Sequence, residues 1–268
     1  MYYQIKSYIK FLLRSSNQHG IHSPFVYDLI TKCLYNKKSF SEYDTLTDYR
    51  KALLKSSESI EIKDFGQGSR VFKSDVRKIS EIAKNAGIKA KRQRLLFRLV
   101  RFFNSENMLE LGTSLGLATA AMSLGNPAAR IDTVEGCANT SEKAQQFFDH
   151  FNLKNIRLHG MSFEKYFTSV SEEKTISASE KPSKTYDLVY IDGNHNKEKT
   201  LQYFEILLKH STNKTVFIFD DIYWSPEMTK AWKEIIELPK VTVSIDTFYW
   251  GLVFFRSEQP KQHFNIRL

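Results

Sequence analysis

Two hydrophobic runs that end in aspartate are the first features of this chain able to do chemistry. Asp187-Leu188-Val189-Tyr190-Ile191 leads into Asp192-Gly193-Asn194-His195, and Thr215-Val216-Phe217-Ile218-Phe219 leads into Asp220-Asp221. On neighbouring parallel strands, Asp192 and Asp220 or Asp221 would meet at one rim. Carboxylates that close repel unless they are protonated or bridged by a cation. A hard divalent ion with oxygen ligands, Mg²⁺ above all, answers this and keeps positions for water and substrate. The competing role for the aspartates is helix capping, although Asp221 falls too early to cap a helix opening at Ser225-Pro226. His195 follows Asp192 by three, and a histidine's ordinary pKa of about 6.5 suits proton removal near neutrality. A solvated histidine at a helix start is an equally open reading.

A second constellation lies upstream. Met108-Leu109-Glu110-Leu111-Gly112-Thr113-Ser114-Leu115-Gly116 reads as a strand running into a glycine bend that opens a helix. Glycine at 112 lets the backbone turn and approach a ligand, and amides at the helix start can donate outward. The next hydrophobic run ends Asp132-Thr133-Val134-Glu135. An acid there can accept both hydroxyls of a ribose. Taken singly, Gly112 and Gly116 are ordinary turn and packing glycines. Their setting makes them more.

Glu110-x-Gly112-x-x-x-Gly116 resembles the first motif of class I S-adenosylmethionine-dependent methyltransferases, in the form used by the catechol-type O-methyltransferases. It departs from the Gly-x-Gly-x-x-Gly of dehydrogenases because residue 114 is serine. The resemblance runs over about residues 105–256. It implies S-adenosylmethionine bound by the bend (Glu110, Gly112, Thr113, Ser114, Gly116), with Glu135 on the ribose. It further implies Gly160, Met161 and Ser162 flanking the adenine and Asp192 beside the cofactor. Catechol-type enzymes carry Asp, Asp and Asn as metal ligands; the set here is Asp192, Asp220 and Asp221, which adds a charge. That double aspartate is similar to sugar O-methyltransferases acting on macrolides and aminocoumarins. His195 stands where catechol-type enzymes place a lysine base. The resemblance thus implies metal-assisted methyl transfer to a hydroxyl of a small-molecule acceptor, a sugar or phenol among the candidates, with Asp192 and His195 as the catalytic pair. The alternatives are a nucleic-acid methyltransferase acting on ribose or base, and an inactive cofactor-binding scaffold. Against base methylation, there is no Asn-Pro-Pro-Tyr-type run and neither cysteine follows a proline. A nucleotide-cofactor oxidoreductase is disfavoured by the bend sequence.

The elements that must position these residues follow from periodicity. From residue 107 strands and helices alternate, the signature of a parallel sheet with crossover helices. Strands are expected at 107–111, 130–135, 155–159, 186–192 and 214–220, and helices near 114–124, 140–152, 162–169, 196–210 and 226–237. The runs 240–246 and 250–256 are too closely linked for a crossover helix and should be antiparallel neighbours. The expected fold is α/β: a doubly wound, mostly parallel, seven-stranded Rossmann-like methyltransferase sheet with an antiparallel terminal hairpin. A helical N-terminal cap or lid (1–89) precedes the cofactor-binding domain (90–268). Its helices are expected at 2–14, after the Ser23 cap and Pro24, and near 43–55 and 74–85, with a further one over 90–104. Residues 2–14 suit an ordinary docked helix better than a membrane-surface one. Asp64–Ser69 reads as a glycine-rich turn and Ser171–Lys184 as an exposed loop.

Composition bounds the rest. The hydrophobic share of 41% across 268 residues argues for a folded protein. No apolar run reaches the roughly 20 residues of a membrane span, and the start lacks the pattern of a secretory signal. The two cysteines, Cys33 and Cys137, lack metal-ligand spacing and suit a reducing cytoplasm. The net charge of +9 is concentrated in residues 1–104, which carry 21 Lys and Arg against 9 Asp and Glu. A solvated basic surface is the favoured reading, with nucleic acid or an anionic membrane as the alternatives. A homodimer is left open.

Overall fold

The computed structural model describes residues 2–63, 74–172 and 184–268. In chain order it comprises α1 (Tyr2–Arg14), α2 (Pro24–Leu29), α3 (Glu42–Lys55), β1 (Ser59–Glu61), β2 (Val76–Lys78), α4 (Ile79–Asn85), α5 (Ala90–Phe103), β3 (Asn107–Leu111), α6 (Leu117–Gly125), β4 (Arg130–Val134), α7 (Ala138–His150), β5 (Ile156–His159) and α8 (Phe163–Glu172). There follow β6 (Leu188–Ile191), α9 (Lys197–Leu208), β7 (Val216–Asp220), α10 (Pro226–Glu237), β8 (Val243–Asp246), β9 (Trp250–Phe254) and β10 (Gln262–Asn265). The chain divides into two compact units, residues 37–180 and residues 1–36 with 181–268. The expected Asp64–Ser69 turn, and most of the expected Ser171–Lys184 loop, lie outside the described residues.

In the unit 37–180, β3, β4 and β5 lie side by side and all parallel. β3 and β4 are buried from their second residue onward, which is why they read as unbroken apolar runs and not as alternating ones. α3 and α5 pack against α6. The buried Gln93 of α5 donates to the Leu117 carbonyl in the first turn of α6 (2.8 Å). Residues 74–85, expected as one helix, form β2 and only then α4; β2 pairs antiparallel with β1. Its three residues, Val-Arg-Lys, carry too little pattern to separate strand from helix.

In the other unit the strand order is β10-β8-β9-β7-β6. β6 and β7 are parallel, while β9 runs antiparallel to both β7 and β8, as the short link between the last runs required. The mostly parallel strands and the terminal hairpin are therefore as expected, but among the described residues the two units hold three and five of these strands, eight where seven were expected. The extra strand, β10, lies parallel to β8 at an edge. Its sequence, Gln-His-Phe-Asn, has no β-branched residue and is only half-buried, so no strand signal reaches the sequence. Ser23 caps α2 by accepting from the Val26 amide, with Pro24 at the first turn. α1 is docked through Phe11, which packs 5.7 Å from Phe248 at the hairpin tip.

Candidate functional site

The glycine bend and the acid after β4 meet in the unit 37–180. Beyond β3, the amides of Gly112 and Thr113 both donate to the Val134 carbonyl (3.0 and 3.3 Å). Gly112 and Gly116 have φ of 105° and 74°, and Ser114 is also left-handed at 49°. At Gly116 a β-carbon would lie 2.3 Å from the Phe148 ring and 2.6 Å from the Tyr49 hydroxyl, so both conformation and space demand glycine. The Glu135 carboxylate accepts from the Ser114 amide through Oε2 and from the Cys137 amide through Oε1, each at 2.9 Å. Glu135 is half-buried. The Glu135 amide in turn donates to His159, at the end of β5 (3.0 Å). Gly160, Met161 and Ser162 follow directly. Met161 N–H turns back to the His159 carbonyl, and Ser162 Oγ accepts from the Lys165 amide at the start of α8. The carboxyl ends of three parallel strands thus gather Gly112, Thr113, Ser114, Glu135 and residues 160–162.

Glu110 sits beneath this edge and not on it. It has no accessible surface. Its Oε2 accepts from Thr119 and Thr133, each at 2.5 Å, and Thr133 is bonded to Thr113 of the bend at 2.6 Å. Oε1 has no partner among the described residues. Burial pushes the carboxyl up to about 8, against the two hydroxyls, which favour the charged form, and with the nearby Glu135 charge adding to the rise. Expected on the ligand, Glu110 instead supports the bend from behind through the threonine chain.

The aspartates gather in the other unit. The buried Tyr190 hydroxyl donates to Asp220 Oδ2 at 2.8 Å and lies 3.4 Å from Asp192 Oδ2, so it bridges the two. Asp220 Oδ1 accepts from the Asp221 amide (2.8 Å), so each oxygen of this nearly inaccessible side chain has a hydrogen-bond donor. Asp221 is left-handed at φ 52°, as are Asn194 and His195 at 68° and 40°. Three such residues beside two strand ends mark backbone strain of the kind that functional sites retain. His195 Nε2 stands 3.9 Å from Asp192 Oδ1, and its ring lies 5.5 Å from Trp224. Trp224 and Asp221 also line a cavity of about 280 Å³, together with Gln4, Ile5 and Tyr8 of α1 and Tyr223, Phe248 and Tyr249. Tyr223 stacks on Phe248 and donates to Asp246 (2.6 Å), whose burial raises its carboxyl above the usual range.

These residues do not fit the expected three-aspartate metal centre. Among the described residues no three His, Cys, Asp or Glu side chains are grouped to hold an ion. Tyr190 relieves the repulsion between Asp192 and Asp220 by a hydrogen bond instead. Tyr190 went unassigned in the sequence, yet it stands two residues before Asp192, on the same face of the strand. That spacing, in a run otherwise aliphatic, was the available signal.

The comparisons agree with this geometry. Residues 109–222 match the family model described as "Methyltransferase domain". That description is of the class that the Glu110–Gly116 motif resembled. No curated protein matches the sequence. Among solved structures, an O-methyltransferase from Bacillus cereus in complex with SAH has a TM-score of 0.56 at 16% identity, covering 85% of this chain and 96% of its own. The O-methyltransferase TomG from Streptomyces achromogenes, involved in tomaymycin synthesis and in complex with SAM, has a TM-score of 0.55 at 15% identity, covering 87% and 95%. An SAH-bound methyltransferase from Podospora anserina has a TM-score of 0.56 at 12% identity, covering 88% and 97%. At such identities the likeness concerns the fold.

Proposed function

We propose that the protein transfers a methyl group from S-adenosylmethionine to a hydroxyl of a small-molecule acceptor. The observation that carries this reading is the Glu135 carboxylate, which follows the second parallel strand and is fixed by the Ser114 and Cys137 amides beside the glycine bend, where an acid can accept from ribose hydroxyls. The solved neighbours that hold SAM or SAH support it. The cofactor supplies a sulfonium-bound methyl carbon to a nucleophile. This chain's residues do the rest. Gly112, at φ 105°, turns the backbone at the end of the strand, a conformation that glycine adopts without strain. Aromatic rings from Tyr8, Tyr223, Trp224 and Phe248 exclude water around the acceptor. His195 Nε2 takes the acceptor's hydroxyl proton, and Asp192, 3.9 Å away, stabilises the imidazolium that forms. No step needs a metal ion. The cavity of about 280 Å³ is of a size to hold one sugar or phenol ring. The test is a screen of hydroxylated acceptors for S-adenosylhomocysteine release, with Mg²⁺ and with excess chelator. Turnover that persists in chelator is expected; turnover that needs Mg²⁺ would restore the metal, and none with any hydroxyl acceptor would remove the acceptor class.

A further inference from the structure

α1 buries little of its apolar surface. Tyr2, Ile5, Ile9 and Leu13 follow at helical spacing on one face and are 80, 55, 54 and 82% exposed. Only Ser7 and Phe11 of this helix are buried. The adjoining sector carries Lys6, Lys10 and Arg14, all exposed, and the helix contains no acidic residue. An ordinary docked helix turns its apolar face inward; this one turns much of it outward, beside a row of cations. The hairpin tip continues the same surface: Tyr8 packs 4.8 Å from Phe248, and its neighbour Tyr249 is 51% exposed. Tyrosines with one apolar and one wet end suit the boundary between lipid and water.

We infer that α1 and the β8–β9 hairpin tip form a docking surface for an anionic lipid bilayer. The helix would lie in the plane of the headgroups with Ile9 and Leu13 immersed and its lysines on the lipid phosphates. Charge selects this occupant over a second copy of the chain, because two such faces would bring like charges together. Ile5 and Tyr8 belong both to this face and to the lining of the cavity, so the cavity opens beside the lipid. The inference stands on α1 itself and not on the acceptor reading.

The experiment is co-sedimentation of the full chain with vesicles of phosphatidylcholine mixed with phosphatidylglycerol, against vesicles of phosphatidylcholine alone. Binding is expected to the anionic vesicles and to weaken as salt rises. Lys6→Glu with Lys10→Glu should lower the partition coefficient on the order of thirtyfold or more. Ile9→Asp with Leu13→Asp should abolish partition while leaving the thermal unfolding transition in place, since both side chains are exposed and neither lines the cavity. Equal binding to both kinds of vesicle, or unchanged binding by either variant, would overturn the proposal. So would a dimer in analytical ultracentrifugation that the Ile9→Asp, Leu13→Asp variant dissolves, which would assign the face to self-association.

Discussion

Replacing Glu110 with glutamine isolates the energetics of the support behind the bend. Two threonine hydroxyls satisfy one carboxylate oxygen, the other has no partner among the described residues, and burial leaves the ionised form poorly solvated, so the carboxyl rises from 4.5 to about 8. The folded chain therefore holds a proton that the unfolded chain gives up at lower pH. This contribution is fully present below about pH 4.5 and is lost as pH rises through 8. The slope approaches about 1.4 kcal/mol per pH unit between those values, and the total is on the order of 4–5 kcal/mol. In Glu110→Gln the dependence disappears, but an amide group replaces the unpartnered oxygen at a cost of roughly 1–3 kcal/mol. The two profiles should therefore cross. In urea unfolding, the wild type should be the more stable at pH 5 and the variant the more stable at pH 9. Parallel profiles would show that Glu110 is ionised throughout and would refute the reasoning.

Three further outcomes follow from the same geometry. His195→Asn should lower kcat by roughly a hundredfold or more with little effect on cofactor affinity, measured by single-turnover kinetics; an unchanged rate would remove the base. Tyr190→Phe takes away the bridge between Asp192 and Asp220 and should destabilise by about 1–3 kcal/mol in denaturant. In that variant, stabilisation by Mg²⁺ absent from the wild type would show the hydroxyl standing where a cation otherwise would; loss of neither stability nor activity would dismiss the bridge. Gly116→Ala places a β-carbon against Phe148 and Tyr49 at positive φ and should cost roughly 2–4 kcal/mol; a melt within a degree or so of wild type would contradict the close packing.

β3, β4, β6 and β7 were legible because parallel strands buried on both faces read as apolar runs, and β8 and β9 because a short link forces them antiparallel. β10 was not, since an edge strand of Gln, His, Phe and Asn is held by its pairing to β8 and not by its own propensity. At the site, spacing alone located the bend and Glu135. It did not reveal that Glu110 faces inward, because the side chain's direction depends on Thr119 and Thr133, which lie on other elements. Nor could spacing foresee the left-handed backbone at Asp221. A left-handed backbone at one residue redirects a side chain, and no residue type announces it there. The outward apolar face of α1 was visible as a pattern, but its exposure depends on what the rest of the chain leaves uncovered.

The most direct measurement is isothermal titration of S-adenosylmethionine into the wild-type chain and into Glu135→Ala. The account predicts a single site in the wild type and affinity weakened by roughly tenfold to a hundredfold in the variant, as expected when hydrogen bonds to a charged acceptor are lost. Equal affinity in the two proteins would contradict it.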